Sequence, residues 1–330
     1  MKSFIISRGN PKEHPVLSLY GRAFKNMGGD VCFSNLSNIL NEIIATDKSD
    51  EVRFLISDPI AFIITLPLMC LFKQKKIIFL SLEMFEYQIP NNKIYNKIRN
   101  KLFYLCHKLA LKLSDEIIFC NQLRCEFYTK EDQSLKAKSK IMENYASKYK
   151  TEMTSIDDEN LKLFKNICEE RDTIFVYAGS IQAGRDLESI IDAFEESDSG
   201  ACLVVAGNDK VGLFKNKKYK NVFYIGMLNK ESLNRVLYES DYGILFYNND
   251  LLNTKFAAPV KLYEYLCFNL KIISNNNTAM LEKSSLIESY YSDKNELLEI
   301  LSEKSNTIKS KEKKELNNNY YIEDKFDGFF

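Results

Sequence analysis

The chain has 330 residues, which is more than a domain with one hydrophobic core usually contains and fits two domains of about 150 residues each. Its apolar fraction of 45% and charged fraction of 27% are typical of a soluble globular protein. The 45 basic and 45 acidic residues cancel, so no overall field attracts nucleic acid, and we expect no nucleic-acid partner. The eight cysteines form no Cys-x-x-Cys pair, which predicts reduced thiols in a cytoplasmic protein.

Short apolar segments alternate with helix-length patterns through the first half of the chain. The predicted strands are 3–7, 31–34, 52–57, 76–80, 116–120 and 140–143. The predicted helices are 17–27, 36–45, 61–72, 93–113 and 122–129. This alternation is typical of a parallel sheet with helices on both faces.

The segment 60–72 is apolar except for Thr65 and is followed by Lys73, Lys75 and Lys76. At about 13 residues it is shorter than the roughly 20 that a membrane-spanning helix needs. The favoured interpretation is a buried helix between two strands. The alternative is a helix at the inner leaflet of the plasma membrane beside a basic cluster, which would give a peripheral membrane contact.

A polar stretch divides the chain into an N-terminal domain, 1–150, and a C-terminal domain, 151–330, with a linker at 147–155 and a helix at 158–170. The strands predicted after it are 173–177, 201–206, 222–225, 242–246 and 271–274, and the helices are 186–195, 230–238 and 259–267. Two such sets joined by a linker predict two Rossmann-like domains instead of one barrel. A charged helix is predicted at 295–319, which as the last helix can return to the N-terminal domain, and the aromatic residues at 320–330 are expected to pack.

A glycine turn follows the strand at 173–177. Gly179 and Ser180 end that strand, and a helix begins near Asp186, so free N–H groups and the helix dipole can bind an anion there. Arg185 adds a guanidinium group that suits a diphosphate. An ordinary α/β turn without a ligand is the alternative.

Pro259 marks the start of a helix that carries Lys261 and Glu264 one turn apart. A cation and a carboxylate at a helix start can hold a sugar nucleotide, with phosphate near Lys261 and ribose hydroxyls on Glu264. A surface ion pair is the simpler alternative.

Taken in order, these segments resemble the donor site of family 4 glycosyltransferases over nearly all of residues 173–275. The resemblance rests on Tyr-Ala-Gly-Ser-Ile at 177–181, Arg-Asp-Leu at 185–187 and Pro-x-Lys-x-x-Glu-Tyr-Leu at 259–266. The segment 223–228, with Met227 and Leu228, resembles the one whose backbone meets the nucleotide base. The resemblance implies an α/β GT-B fold, in which two Rossmann-like domains face a central cleft. It implies no cofactor, since the nucleotide sugar is a substrate.

The first half resembles the family more loosely. Leu82 stands where many members have histidine at the end of a strand, which leaves Glu83 and Glu86 as the nearest titratable candidates. His14, in the loop after the first strand, is a candidate base on the acceptor side or else a solvated bystander. His107 is expected to be structural.

Other departures are Phe256, near where many members have a glutamate, and Cys-Phe-Asn at 267–269, where a small residue and glycine are usual. With two histidines and no Asp-x-Asp motif, we expect no metal site. Ser-Asp-Pro at 57–59 predicts that Asp58 caps a helix.

The predicted function is transfer of a sugar from a nucleotide-sugar donor to a glycan or lipid-linked acceptor in bacterial surface polysaccharide synthesis. The resemblance implies a retaining reaction, and the residues predict a metal-independent one. The alternatives are a sugar-nucleotide epimerase of the same fold and a catalytically silent partner subunit.

Overall fold

The computed structural model describes residues 1–130, 132–148, 151–182, 186–305, 315–326 and 328–330. The chain forms two compact units. The first combines Met1–Asn144 with Leu251–Ala258 and Glu323–Phe330, and the second combines Tyr145–Asp250 with Pro259–Ile322. Each unit is therefore discontinuous in sequence, whereas the predicted domains, 1–150 and 151–330, are each continuous.

The first unit alternates strands and helices. They are β1 (Lys2–Ser7), α1 (Pro15–Asn26), β2 (Asp30–Asn35), α2 (Ile39–Ile44), β3 (Glu51–Ile56), α3 (Pro59–Met69), β4 (Gln74–Ser81), α4 (Ile94–Leu113), β5 (Glu116–Phe119), α5 (Gln122–Thr129), α6 (Gln133–Ala137) and β6 (Ser139–Ile141). The strands form a parallel sheet in the order β2-β1-β3-β4-β5-β6. Because helices cover both faces, the strands are apolar runs, and Phe4, Phe54 and Phe79 are fully buried.

α3 accounts for the apolar run at 60–72. It connects β3 to β4 and buries Ala61, Phe62, Thr65 and Met69. The carboxylate of Asp58 caps it, as predicted, by accepting the N–H groups of the second and third helical residues at 2.9 Å. The favoured interpretation is confirmed in part: the run forms a helix between two strands, but only one face is buried, and Ile64 and Leu71 are 55% and 52% exposed. In the part of the chain that the structure describes, no helix is both long enough and apolar enough to cross a bilayer.

The segment Leu251–Ala258 belongs to the first unit because buried side chains of that unit bind its carbonyl groups. The guanidinium Nε of Arg124 donates to the carbonyl of Phe256 at 2.8 Å, and Nδ2 of Asn121 donates to the same oxygen at 3.1 Å. Nδ2 of Asn144 donates to the carbonyl of the segment's last residue at 2.8 Å. Arg124 is only 3% exposed, and the carbonyls of Phe256 and Asn253, which both accept from its guanidinium group, replace water that its charge would otherwise need.

The second unit repeats the alternation. Its elements are α7 (Lys162–Glu170), β7 (Ile174–Ala178), α8 (Leu187–Glu196), β8 (Cys202–Ala206), β9 (Val222–Tyr224), α9 (Lys230–Glu239), β10 (Tyr242–Leu245), α11 (Val260–Cys267), β11 (Lys271–Asn275), α12 (Thr278–Leu281), β12 (Ser289–Tyr291) and α13 (Lys294–Ser305), with α10 (Leu252–Lys255) in the intervening segment of the first unit. The parallel sheet has the order β12-β11-β10-β7-β8-β9.

Both sheets contain a point where the strand order reverses. In the second unit, β8 and β9 lie on one side of β7 and β10 lies on the other. In the first unit, β2 and β3 flank β1 in the same way. Ligands of open α/β sheets bind outside the carboxyl ends of the strands at such a switch point. The topology thus indicates one candidate edge in each unit.

The predicted helix at 295–319 is wrong at its C-terminal end. α13 ends at Ser305, residues 306–314 lie outside the described residues, and Asn318–Tyr320 is a 3₁₀ turn. The side chain of Asn317 caps that turn, as asparagine does in preference to lying inside a helix. The aromatic residues that follow pack as predicted, since the ring of Phe330 lies 5.0 Å from that of Phe24 in the first unit.

Candidate functional site

Three glycines lie beyond the carboxyl ends of adjacent strands in the second unit. Gly179 follows β7, Gly207 follows β8, and Gly226 follows β9. The N–H of Gly179 donates to the carbonyl of Ala206 at 3.0 Å, and the N–H of Gly207 donates to that of Gly226 at 2.8 Å. The three turns therefore form one connected backbone layer at the switch point.

Gly207 lets the turn after β8 lie against the backbone of Gly179 more closely than any residue with a side chain would allow. Its φ is 154°, and a Cβ atom placed there would lie 1.9 Å from the carbonyl oxygen of Gly179. Such a contact cannot exist, so the turns after β7 and β8 require glycine at this position to lie side by side.

α11 is fixed next to the end of β7 by Tyr265. The N–H of Ala178 donates to the hydroxyl oxygen of Tyr265 at 2.8 Å, and that side chain is 1% exposed. Its ring packs against Gly243 of β10, where a Cβ atom would come within 2.2 Å of it. The remaining side chains of α11 are consequently held at a defined place beside the switch point.

Glu264 of α11 is bound by two lysines. Nζ of Lys261 lies 2.5 Å from Oε2 of Glu264, and Nζ of Lys230 lies 2.8 Å from Oε1. Sequence reasoning identified Lys261 and Glu264 but missed Lys230, which is the first residue of α9. The signal that could have found it is Asn229, whose side chain caps α9 and marks another helix start with an adjacent cation.

The pKa of Glu264 shows which effect dominates in this cluster. Burial raises the pKa of this carboxyl, but attraction to Lys261 and Lys230 and the hydrogen bonds from them outweigh burial and hold the pKa at about 2. Glu264 is therefore ionised at neutral pH, and the cluster carries one negative and two positive charges.

This cluster suits an additional anion. α11 begins after Pro259 with no side chain capping its first N–H groups, so the positive end of the helix dipole adds to the excess positive charge. A diphosphate could accept hydrogen bonds from both ammonium groups, while Glu264 remains an acceptor for hydroxyl groups.

We expect the ionised Glu264 to make stability depend on pH. Its pKa falls from 4.5 to about 2 on folding, so its contribution is complete above pH 4.5 and is lost as the pH falls towards 2. This shift corresponds to about 3 kcal/mol in the free energy of unfolding. Urea denaturation at several pH values should show that Glu264→Gln is less stable than wild type at pH 7 and that the gap narrows as the pH falls from 4.5 towards 2. A gap independent of pH would contradict this assignment.

The other predicted donor residues lie at the same edge of the sheet or outside the described part. Gly179 and Ser180 follow β7, and the carbonyl of Ser180 accepts a hydrogen bond from the hydroxyl of Tyr177 at 3.2 Å. Met227, which is 79% exposed, and Leu228 lie between β9 and α9. Arg185 lies outside the described residues. The binding roles of these residues stay predictions.

In the first unit the charge of Glu83 acts on the ring of His14. Burial lowers the pKa of His14, and the charge of Glu83 partly offsets this effect. Nδ1 of His14 accepts the N–H of Leu17 at 3.3 Å and caps α1, so the neutral ring carries its proton on Nε2. His14 can then donate a hydrogen bond from Nε2, while Glu83, half-buried after β4, can accept one.

Glu86 has a different environment from Glu83. It is 3% exposed, accepts a hydrogen bond from the hydroxyl of Tyr128, and lies 3.1 Å from Nδ1 of His107. The other ring nitrogen of His107 lies 3.2 Å from Oγ of Ser81. Burial raises the pKa of Glu86, but its hydrogen-bond partners lower it further, below its ordinary value. This geometry favours Glu83 over Glu86 as a ligand-facing group, and it gives His107 the structural role predicted.

Among the residues that the structure describes, no three or more histidine, cysteine, aspartate or glutamate side chains come together as a potential metal site.

Comparison with known proteins identifies the fold. No protein family and no curated protein matches the sequence. Solved structures do match: Anabaena HepE in complex with UDP-glucose has a TM-score of 0.60 at 11% identity, covering 92% of this chain and 89% of that chain. The lipopolysaccharide outer core galactosyltransferase WaaB in its apo form has a TM-score of 0.55 at 12% identity, with the same coverage. A Listeria monocytogenes protein assigned as a UDP-N-acetylglucosamine 2-epimerase has a TM-score of 0.56 at 11% identity and covers 99% and 94%.

The chain has the GT-B fold. The predicted α/β class and the two Rossmann-like units are therefore confirmed. At these identities the likeness concerns the fold, and the family 4 assignment stays a prediction.

Two departures noted in the sequence have simple explanations within this GT-B chain. Leu82 is 7% exposed and belongs to the core of the first unit. Asn269 has a φ of 55°, the left-handed conformation that asparagine tolerates best after glycine. The turn after α11 therefore keeps a glycine-like backbone without a glycine.

Proposed function

We propose that this protein is a glycosyltransferase of the family 4 type, which moves a sugar from a nucleotide-sugar donor to a glycan or lipid-linked acceptor in bacterial surface polysaccharide synthesis. The observation that carries the proposal is the cluster of Lys230, Lys261 and Glu264 at the switch point of the second unit. The likeness to a UDP-glucose complex and to a galactosyltransferase supports it.

In this proposal the two ammonium groups bind the donor diphosphate and Glu264 binds the ribose hydroxyls. The turn at Gly179 and Ser180 lies beside the diphosphate, with Arg185 as a further cation, and the base lies against the backbone of Met227 and Leu228. The nucleotide sugar is a substrate, and no separate cofactor takes part.

The chemical task is to stabilise negative charge on the departing diphosphate while positive charge develops at the sugar carbon. Two fixed ammonium groups and the start of α11 can stabilise that charge by electrostatic preorganisation, without a metal. On the first unit, Glu83 and Nε2 of His14 are the candidate contacts for the acceptor hydroxyl. We propose retention of configuration on the sequence resemblance alone.

We place the reaction in the cytoplasm, with peripheral contact at the inner face of the plasma membrane where the acceptor is lipid-linked. All eight cysteines are free, as is usual for proteins of a reducing compartment.

Sugar-nucleotide epimerisation is the second candidate. The matching epimerase structure has the same fold, and the pair of His14 and Glu83 could exchange a proton with a sugar. The difference between the two functions lies in the acceptor, because an epimerase needs none.

The proposal is tested by incubating the protein with a panel of nucleotide sugars, with and without bacterial glycolipid extracts, in the presence of excess EDTA. We expect acceptor-dependent release of nucleoside diphosphate that survives EDTA. An epimerised sugar nucleotide formed without acceptor would support the second candidate. A strict requirement for Mg²⁺ or Mn²⁺ would show that the leaving group is held differently.

A binding screen before the assay identifies the nucleotide base. The nucleotide that binds, at 100 times its dissociation constant, should stabilise the protein by about 2.7 kcal/mol.

A further inference from the structure

α4 exposes an apolar stripe along its whole length. The residues of the stripe recur every three or four positions, which places them on one side of the helix. Their exposed fractions lie between 45% and 79%, and they are Ile94, Ile98, Leu102, Leu105, Leu109 and Leu113. The opposite side of α4 is the one that folds into the unit, where Phe103, His107 and Leu111 are buried. The stripe is therefore additional to the folding face of the helix.

A column of lysines runs beside the stripe. Lys97, Lys101, Lys108 and Lys112 are exposed, and each directly precedes a stripe residue. The 20 residues of α4 contain no aspartate or glutamate, although acidic and basic residues balance over the whole chain. Positive charge and exposed apolar surface are thus concentrated on the same face of one helix.

We propose that this face of α4, the stripe with its lysine column, lies on the surface of an anionic lipid bilayer. A helix with this distribution lies in the plane of the membrane, with its apolar side chains at the acyl boundary and its ammonium groups among the headgroups. The apolar residues gain by leaving water, and the lysines gain from the negative surface potential.

The basic cluster after α3 fits this role less well than α4. Nζ of Lys76 lies 2.8 Å from Oε2 of Glu116, and Nζ of Lys75 donates to the carbonyl of Phe72 at 3.2 Å. These two ammonium groups are already bound within the first unit. We therefore assign the membrane contact to α4 instead of to the basic cluster after α3.

A second copy of the chain is the competing occupant of the face. An isologous contact through α4 would bring the lysine column of one copy close to that of the other. Because α4 has no carboxylate to pair with them, the repulsion would oppose the gain from the apolar stripe. An anionic lipid surface complements both parts of the face.

The inference rests on the proposed function only because a lipid-linked acceptor explains why the protein would bind a membrane. Its test measures lipid binding without any sugar. The full chain is sedimented with phosphatidylcholine vesicles with and without phosphatidylglycerol, at low and high salt. The variants are Lys97→Gln/Lys101→Gln and, for the stripe, Ile98→Ser/Leu102→Ser. Lys217→Gln/Lys218→Gln, on an exposed loop of the second unit, is the control with the same change in charge.

We expect binding only to vesicles with phosphatidylglycerol, and its loss at high salt. The lysine variant should bind about 25-fold more weakly, since each of the two lysines near such a surface contributes about fivefold. The serine variant should also bind more weakly, and the control should match wild type. Nucleotide binding, which does not involve α4, should be unchanged and shows that each variant is folded.

The proposal is overturned if wild type does not bind anionic vesicles, or if both α4 variants bind as tightly as the control. Size-exclusion chromatography without lipid decides the competing occupant: a dimer that the serine variant dissociates would assign the face to a second copy. If the wild-type protein binds lipid but shows no glycosyl transfer, the proposed function is refuted and this inference still stands.

Discussion

Replacing Lys261 or Lys230 with alanine should weaken binding of the donor nucleotide by about 1.5–3 kcal/mol, which is roughly 10- to 150-fold. Each ammonium group is held by Glu264 on α11, so each is already oriented before the diphosphate arrives. The interaction lost is a hydrogen bond between charged groups in a half-buried site. Isothermal titration calorimetry with the nucleoside diphosphate that stabilises wild type measures the change directly.

Lys271→Ala is the matched control for these two substitutions. Lys271 lies in the same unit at the start of β11, and its side chain is 52% exposed and 3.8 Å from Glu288. An exposed pair of this kind contributes little, so the affinity should not change. Unchanged affinity in both Lys261→Ala and Lys230→Ala would place the diphosphate elsewhere.

Replacing Gly207 with alanine should have the largest effect on stability. The new Cβ atom would lie 1.9 Å from the carbonyl oxygen of Gly179, so the turns after β7 and β8 must separate. Together with the positive φ, we expect a loss of about 3–5 kcal/mol in the free energy of unfolding. Nucleotide affinity should fall as well, because the two turns form the backbone layer at the switch point.

Gly200→Ala separates the two causes. Gly200 lies in the same unit with a φ of 76°, but a Cβ atom there would have no atom within 4 Å. It should therefore cost only the conformational penalty of about 1–2 kcal/mol and leave nucleotide affinity intact. Urea denaturation of both variants tests this difference. Equal losses in the free energy of unfolding would show that the turns at Gly207 can accommodate a Cβ atom.

The fold was largely predictable because its signals are local. α5 has the predicted bounds, Gln122–Thr129, and the apolar runs predicted as strands each correspond to a strand of one sheet or the other. In a parallel sheet covered on both faces, a strand must be apolar throughout, and the intervening helices show their own period. The pair of Lys261 and Glu264 was readable for the same reason, since residues three apart are neighbours on a helix.

The rest depends on contacts between residues far apart in sequence. Lys230 is 34 positions from Glu264, and no local pattern links them. Glu83 and Glu86 look equivalent in the sequence, yet His107 and Tyr128 bury one of them. The exposed stripe of α4 was also hidden, because an apolar period does not show which face of a helix folds inward.

The discontinuity of the first unit has a consequence for the order of synthesis and for the making of chimeras. When residues 1–144 have left the ribosome, the buried guanidinium of Arg124 still lacks the carbonyl of Phe256, which is made more than a hundred residues later. Because the first unit also includes Glu323–Phe330, it is completed only after all of the second has been translated. A hybrid that joins halves of two such proteins near residue 150 would pair Arg124 with the segment of the other protein that corresponds to 251–258. A hybrid that also carries over 251–258 and 323–330 keeps the native contacts of Arg124.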